Sequence, residues 1–374
     1  MDNKWGVRTE MNITFLIGNG FDRNLGLKTT YSDFVRVYKN SNAKNDRLKS
    51  FREYISENEE LWSSAEVEMG RYTDQFESGD GAAFYECHKD FCEHLAEYLK
   101  AEVQKMQYRD MAQDISQAFS NLNKIIEPFP SQEREVIQNY YQSHKSENTF
   151  FHFIVFNYTD TLDQCVSIIK KQQGILGSHT YGATTHHHQI GKISHVHGTL
   201  DGQMVFGVND RTQISKPEIF NCEYGDLYED LLIKRQANQG YQEFTDSKTK
   251  TILDNSDIIY IYGMSFGITD TLWWGRICAW LKANPSRHLI VQKHSMPSRG
   301  LLAVDYKIEE RKTRQLVTSF SKLQDPEKGE LEKRIHITGH NIFADIKDIA
   351  VKPAMSDDEL REFFASADIT ANSI

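Results

Sequence analysis

The sequence predicts an open α/β sheet, mostly parallel, with a large helical insertion after the first strand–helix unit. Three observations lead there. Short apolar runs with a β-branched bias end in glycine or polar turns. Several of those turns feed a helical pattern. Between the first run and the second, the spacing of apolar residues changes from strand-like to helical.

The elements follow in chain order. Ile13 to Ile17 (ITFLI) is a buried strand that runs into Gly18-Asn19-Gly20, a tight glycine turn. Met11 stands just before it and is an alternative start, which would make the first ten residues dispensable. From about Asn40 to Asn148 the pattern is helical. Phe84, His88, Phe91, Leu95, Leu99 and Val103 recur at steps of three and four, as do Met111, Ile115, Phe119, Leu122 and Ile126 before the stop at Glu127 to Pro130. Phe151 to Phe156 is the next strand, ending in Asn157-Tyr158-Thr159-Asp160, with a helix from Thr161. Gly174 to Gly191 reads as loop, and His186 to His188 as part of it. Ile193 to Leu200 is a short alternating strand through His197-Gly198-Thr199. Asp257 to Tyr262 is a buried strand ending in Gly263-Met264-Ser265, followed by a helix through Trp280. His288 to Gln292 and Arg334 to Thr338 complete the strands. The expected units are a sheet core of 11–40 with 149–345, a helical insertion of 41–148, and a C-terminal tail of 346–374.

Composition narrows the function classes. At 39% hydrophobic and 26% charged, the 374 residues are ordinary globular material with enough apolar side chain for a core. No run of about eighteen apolar residues exists, so a membrane span is not expected. Met1 to Glu10 is polar and lacks the apolar stretch of a secretory signal. Cys87, Cys92, Cys165, Cys222 and Cys278 are scattered, odd in number and form no CxxC, so neither a zinc ribbon nor a disulfide framework is expected. Reducing cytoplasm is the expected compartment. A net charge of −10 argues against a nucleic-acid binder that relies on a basic face. It leaves room for one anionic ligand held by local backbone donors.

In open α/β sheets the ligand sits outside the C-terminal strand ends, and the unusual polar residues cluster at those ends. Gly18 and Gly20 let backbone N–H groups approach a phosphate. Arg23 stands where the third glycine of GxGxxG belongs, so the dehydrogenase fingerprint is not matched, and a plain tight turn is an equal reading. Asp22 is a ribose ligand or, more plainly, a helix cap. Asn157 carries both donors and acceptors for a water or a ribose hydroxyl. Asp160 is more simply a cap than a catalytic group. In a strand, His195 and His197 point to the same side. Gly198 leaves room for a ligand beside His197, and histidine is the side-chain type suited to proton transfer near neutral pH. His195 fits a packed role better. Gly263 and Ser265 reach a phosphate or ribose, while Asp270 has capping as an equal reading. His186 to His188 lack the company of further ligands, so no metal is expected. Glu66 and Glu68 are the tempting acidic pair of the helical block, but two apart on a helix they do not share a face.

The series G-N-G-F-D (Gly18 to Asp22), L-x-T-x-Y-S-D-F (Leu27 to Phe34), F-N-Y-T, H-x-H-G and G-x-S-x-x-x-x-D resembles the phage abortive-infection AbiH family over roughly Met11 to Phe343. Trp62 and Glu66 fit the same family. That pattern in turn is similar to the sirtuin-type NAD-binding fold, a Rossmann-like sheet. The resemblance implies Gly18, Asn19, Gly20 and Phe21 at the glycine turn, with Asn157 and Asp160 for the asparagine segment. It implies His197 with Gly198 for the catalytic histidine motif, and Gly263, Ser265 and Asp270 for the later cofactor strand. The four-cysteine zinc module of sirtuin deacylases is missing, and the helical block takes up chain where no such module fits. The resemblance therefore lies closer to bacterial defence proteins that act as NAD hydrolases.

The expected function is thus an anti-phage effector that takes NAD as substrate and hydrolyses its nicotinamide–ribose bond, with Asn157, His197 and Asp22 as the catalytic set. The rivals are a sensor that binds NAD or ADP-ribose without turnover, and a nuclease-type effector. Control by self-association or by a phage-derived component is expected of the helical block.

Overall fold

The computed structural model describes residues 10–349 apart from 203, 242 and 301, and no side chains within 239–246. The start of the chain before Glu10, and the expected tail from 350 onward, lie outside the described residues.

Seven strands form one sheet: β1 (Glu10–Ile17), β2 (Asn148–Val155), β3 (Ile175–Tyr181), β4 (Thr184–His195), β5 (Ile258–Tyr262), β6 (His288–Gln292) and β7 (Ile335–Thr338). Their spatial order is β3-β4-β2-β1-β5-β6-β7. Every pairing is parallel except β3 with β4. Without the antiparallel edge strand β3, this is the doubly wound order of dinucleotide-binding sheets, with β1 and β5 flanking the point where the winding reverses. The expected open, mostly parallel sheet is therefore present.

Both faces of the sheet are covered, which is why its central strands are almost continuously apolar. Ile13, Phe15 and Ile17 of β1 face a core built with Ile115, Phe119, Leu162, Val166 and Phe343. Leu16 faces the opposite core, where Trp273, Trp274, Ile277 and Leu281 of the helix Thr271–Ala283 pack. A third core belongs to the helical block: Phe34, Phe51, Trp62, Phe91 and Tyr98 pack with Phe206, Val208, Leu232 and Ile233 from the connection between β4 and β5. The chain 41–148 thus divides. Its first helices, through Gly81–Val103, build the third core, while Ala112–Ser120 and Ser131–Ser143 carry residues of the sheet core.

Two expectations need correction. The segment Gly174 to Gly191 is not a loop but the hairpin of β3 and β4, turning at Gly182 with φ of +63°. His186 to His188 lie inside β4, with His188 Nδ1 bonded to Asn123 Oδ1 at 2.6 Å. Their polar sequence hid the strand because this edge of the sheet is only half-buried. The strand read as Ile193 to Leu200 ends at His195, so the alternation that would place His195 and His197 on one side stops between them. His195 bonds Asp163 at 2.8 Å, whereas His197 bonds Asp270.

Candidate functional site at the C-terminal strand ends

β1 delivers Gly18-Asn19-Gly20 to the edge of the sheet beside the end of β5. Gly18 N–H donates to Tyr262 O at 3.0 Å, Gly20 N–H to Gly263 O at 2.8 Å, and Phe21 N–H to Gly18 O at 3.0 Å. A Cβ on Gly20 would stand 2.3 Å from Gly263 Cα, so only glycine permits this approach of two backbones. Three N–H groups of the turn are therefore engaged by protein carbonyls. Asn19 holds the next turn: its Nδ2 donates to Thr29 O at 2.9 Å and its Oδ1 accepts from Thr29 Oγ1 at 2.5 Å. Phe21 is buried, edge-on to Phe343.

Asp22 lies under this turn at 1% exposure and accepts from Thr159 Oγ1 at 2.6 Å, from the Thr161 hydroxyl and from the Asn157 side chain. Burial outweighs those bonds and pushes its carboxyl up to about 6. The glycine turn and the asparagine segment are thus joined through a buried carboxylate, and the Asp22 side chain makes no capping bond among the described residues. Asn157 is buried, and its backbone carbonyl lies 3.2 Å from His195 Nδ1. Asp160 occupies the N-cap position of the helix Thr161–Lys171 without a side-chain cap bond, and accepts instead from Gln164 Nε2 at 2.6 Å.

The second cluster centres on His197, which is 4% exposed and sits against Phe156. Its Nε2 lies 3.0 Å from Asp270 Oδ1. Asp270 stands at the start of the helix Thr271–Ala283 without a side-chain cap bond, so its carboxylate serves the cluster. Lys234 Nζ donates to the same Oδ1 at 3.2 Å and to Glu66 Oε2 at 2.7 Å. Glu66 Oε1 accepts from Tyr31 OH at 3.0 Å and lies 3.4 Å from Tyr158 OH, which also donates to Val205 O. Burial raises Asp270, but Lys234 and His197 outweigh it and hold its carboxyl well below the usual range. Burial lowers Lys234, but the two carboxylates outweigh it and raise its ammonium.

The chemistry of this cluster follows from its donors. An ionised carboxylate only accepts, so the proton between His197 and Asp270 belongs to His197 Nε2. In its neutral form the ring carries a lone pair on Nδ1, and that buried atom has no hydrogen-bond partner among the described residues. Beside the ring in that form, two carboxylates and one ammonium carry a net negative charge among the described residues.

Gly198, at φ of +75°, turns the chain away after His197, and Gly263, at +64°, does the same after β5. Ser265 is exposed beyond it. Lys234 escaped sequence reasoning because it opens a polar stretch without apolar periodicity. Glu66 was visible only as half of an acidic pair: Glu68 pairs instead with Arg71, at 2.5 Å, and Glu66 alone enters the site.

No helix among the described residues is long and apolar enough to cross a membrane. No individual curated protein matches the chain. The family model for bacteriophage abortive infection AbiH matches residues 14–292, a span that runs from β1 to β6 and takes in Asp22, Glu66, Asn157, His197, Lys234 and Asp270. On that match the chain belongs to the AbiH family, which assigns it a role in phage abortive infection.

Proposed function

We propose that this AbiH-family protein acts in phage defence by hydrolysing NAD at the bond between nicotinamide and ribose. The observation that carries the reading is His197: a buried imidazole whose Nε2–H is fixed by Asp270 and whose Nδ1 has no partner among the described residues, at the C-terminal edge of a doubly wound sheet. Nicotinamide leaves as a neutral molecule, so the transition state gathers positive charge on the ribose. A buried site with one excess negative charge favours that state over the ground state. His197 Nδ1 accepts a proton from the attacking water or a ribose hydroxyl, and Asp270 keeps the ring in the tautomer that permits it. Asn157 orients the water or the sugar. Asp22 acts through Asn157 and the two threonines, as a positioning residue. Because Gly18, Gly20 and Phe21 spend their N–H groups on carbonyls, the glycine turn contributes packing of the rim more than a cradle for the diphosphate.

The test is release of free nicotinamide from NAD by the purified full chain, with and without phage lysate. Wild type is expected to release it. His197→Ala is expected to lose about 10²–10⁴ of the rate with its unfolding midpoint intact. Saturable NAD binding without nicotinamide release, or full turnover by His197→Ala, overturns the proposal.

A further inference from the structure

On another flank of the sheet, beside the first residues of β7, the helices Ser131–Ser143 and Ala303–Ser319 border a cleft of about 980 Å³. Arg299, Lys307, Arg311, Arg314 and Lys333 line it. Glu133, Glu310 and Glu332 are the carboxylates beside them, so cations outnumber anions here in a chain whose net charge is −10. A positive concavity in an acidic protein is a local feature, not an overflow of general charge.

The cations are also incompletely used. Arg299 is clamped in place: its Nη1 donates to Pro128 O at 2.8 Å and its guanidinium lies 4.5 Å from the centre of the Tyr306 ring. Its Nη2 is buried and has no partner among the described residues. Arg314 is anchored by Nε to Ile335 O at 2.8 Å, while its Nη2 meets Glu133 and Glu310 only at 3.7 Å. The first of those carboxylates is turned towards His336 Nδ1, at 2.8 Å. Lys307 and Arg311 are exposed and form no close ion pair among the described residues; Lys307 feels Glu310 only at longer range. Anchored guanidinium forks with spare N–H groups suit phosphate oxygens, which accept two donors at once. Pro130, Val136 and Ala303 supply an apolar wall. The volume falls within the range of small-molecule sites. A bounded cleft, in a protein otherwise repelled by polyanions, selects a small ligand over a nucleic-acid backbone.

We propose that this cleft binds a small phosphorylated molecule of nucleotide size, with the phosphate between Arg299, Arg311 and Arg314 and the rest against the apolar wall. The assignment is independent of NAD hydrolysis at His197.

The probe is AMP, titrated calorimetrically into the full-length protein at two salt concentrations, with inorganic phosphate and a single-stranded oligonucleotide as further arms. Expected is binding at one site per chain, tighter than inorganic phosphate and weaker at the higher salt. The surface variant Lys307→Glu/Arg311→Glu is expected to bind at least about tenfold more weakly, with unchanged unfolding midpoint and nicotinamide release. His197→Ala is expected to bind AMP as wild type does. The proposal is overturned if AMP does not bind at millimolar concentration, if the double variant binds it equally well, if His197→Ala abolishes binding, or if inorganic phosphate or the oligonucleotide binds as tightly as AMP.

Discussion

Lys234 is the only lysine or arginine bonded to the carboxylates of Glu66 and Asp270 among the described residues, and it is 5% exposed. Replacing it by methionine keeps most of the unbranched side chain, one heavy atom shorter, and removes the charge. Two carboxylates then face one site with no ammonium between them. Breaking a buried ion pair from one side costs about 3–5 kcal/mol, because the abandoned charge stays desolvated. The Asp270 side chain keeps 18% of its exposure, so water reaches part of the cluster and the lower end, about 3 kcal/mol, applies. The measurement is urea unfolding of the full chain, compared at equal slope. Glu66→Gln in the same protein removes one of the stranded charges while leaving an acceptor for Tyr31, and is expected to recover about half of the loss. The dependence on pH has a definite sign. In wild type the carboxyl of Asp270 is held below 3.8, so it supports the fold above that pH and the support fades as pH falls through its lowered value. Without Lys234 that carboxyl gains a proton at milder acidity, and the two proteins converge in stability as pH falls. Lys234→Met within about 1 kcal/mol of wild type at neutral pH would refute the account, as would a Glu66→Gln change that recovers nothing.

Further outcomes follow from the same geometry. Gly20→Ala brings a methyl to 2.3 Å from Gly263 Cα, backbone against backbone, and is expected to lower stability by about 1–3 kcal/mol; calorimetric melting at the wild-type midpoint would show that the approach is not tight. Asp22, with its carboxyl raised from 3.8 to about 6 by burial, holds a proton between those values that the unfolded chain has already released. Its contribution therefore makes the fold gain about 3 kcal/mol as pH falls from above 6 to below 3.8. Asp22→Asn removes that gain, so the stability difference between the two proteins should change across this window; parallel stability-against-pH curves would count against a perturbed Asp22.

The family signature has a physical reading once the fold is known. In L-x-T-x-Y-S-D-F, Thr29 locks Asn19 of the glycine turn, and Thr30 with Asp33 forms the capping box of the helix Tyr31–Tyr38. Phe34 enters the core of the helical block, and Tyr31 reaches Glu66. One short motif thus ties the turn of the sheet to the helical block and to the site.

From the residues alone the class of the fold follows, and the strand ends stand out as the place where a ligand site belongs. Short apolar runs such as ITFLI and DIIYIY, β-branched and closed by glycine, read as strands buried on both faces, and the residues that end them mark the edge where ligands bind in such sheets. Periodicity could not find β3 and most of β4, because a half-buried edge rich in histidine and threonine carries little apolar signal. Nor could it find the partners of His197. Glu66, Lys234 and Asp270 are far apart in the chain, and ion pairing between buried groups leaves no periodic trace in it. That Asp270 turns from the helix it begins towards His197 and Lys234 came from the folded arrangement, since the choice between a cap and an ion pair depends on which charge the fold brings within hydrogen-bond reach.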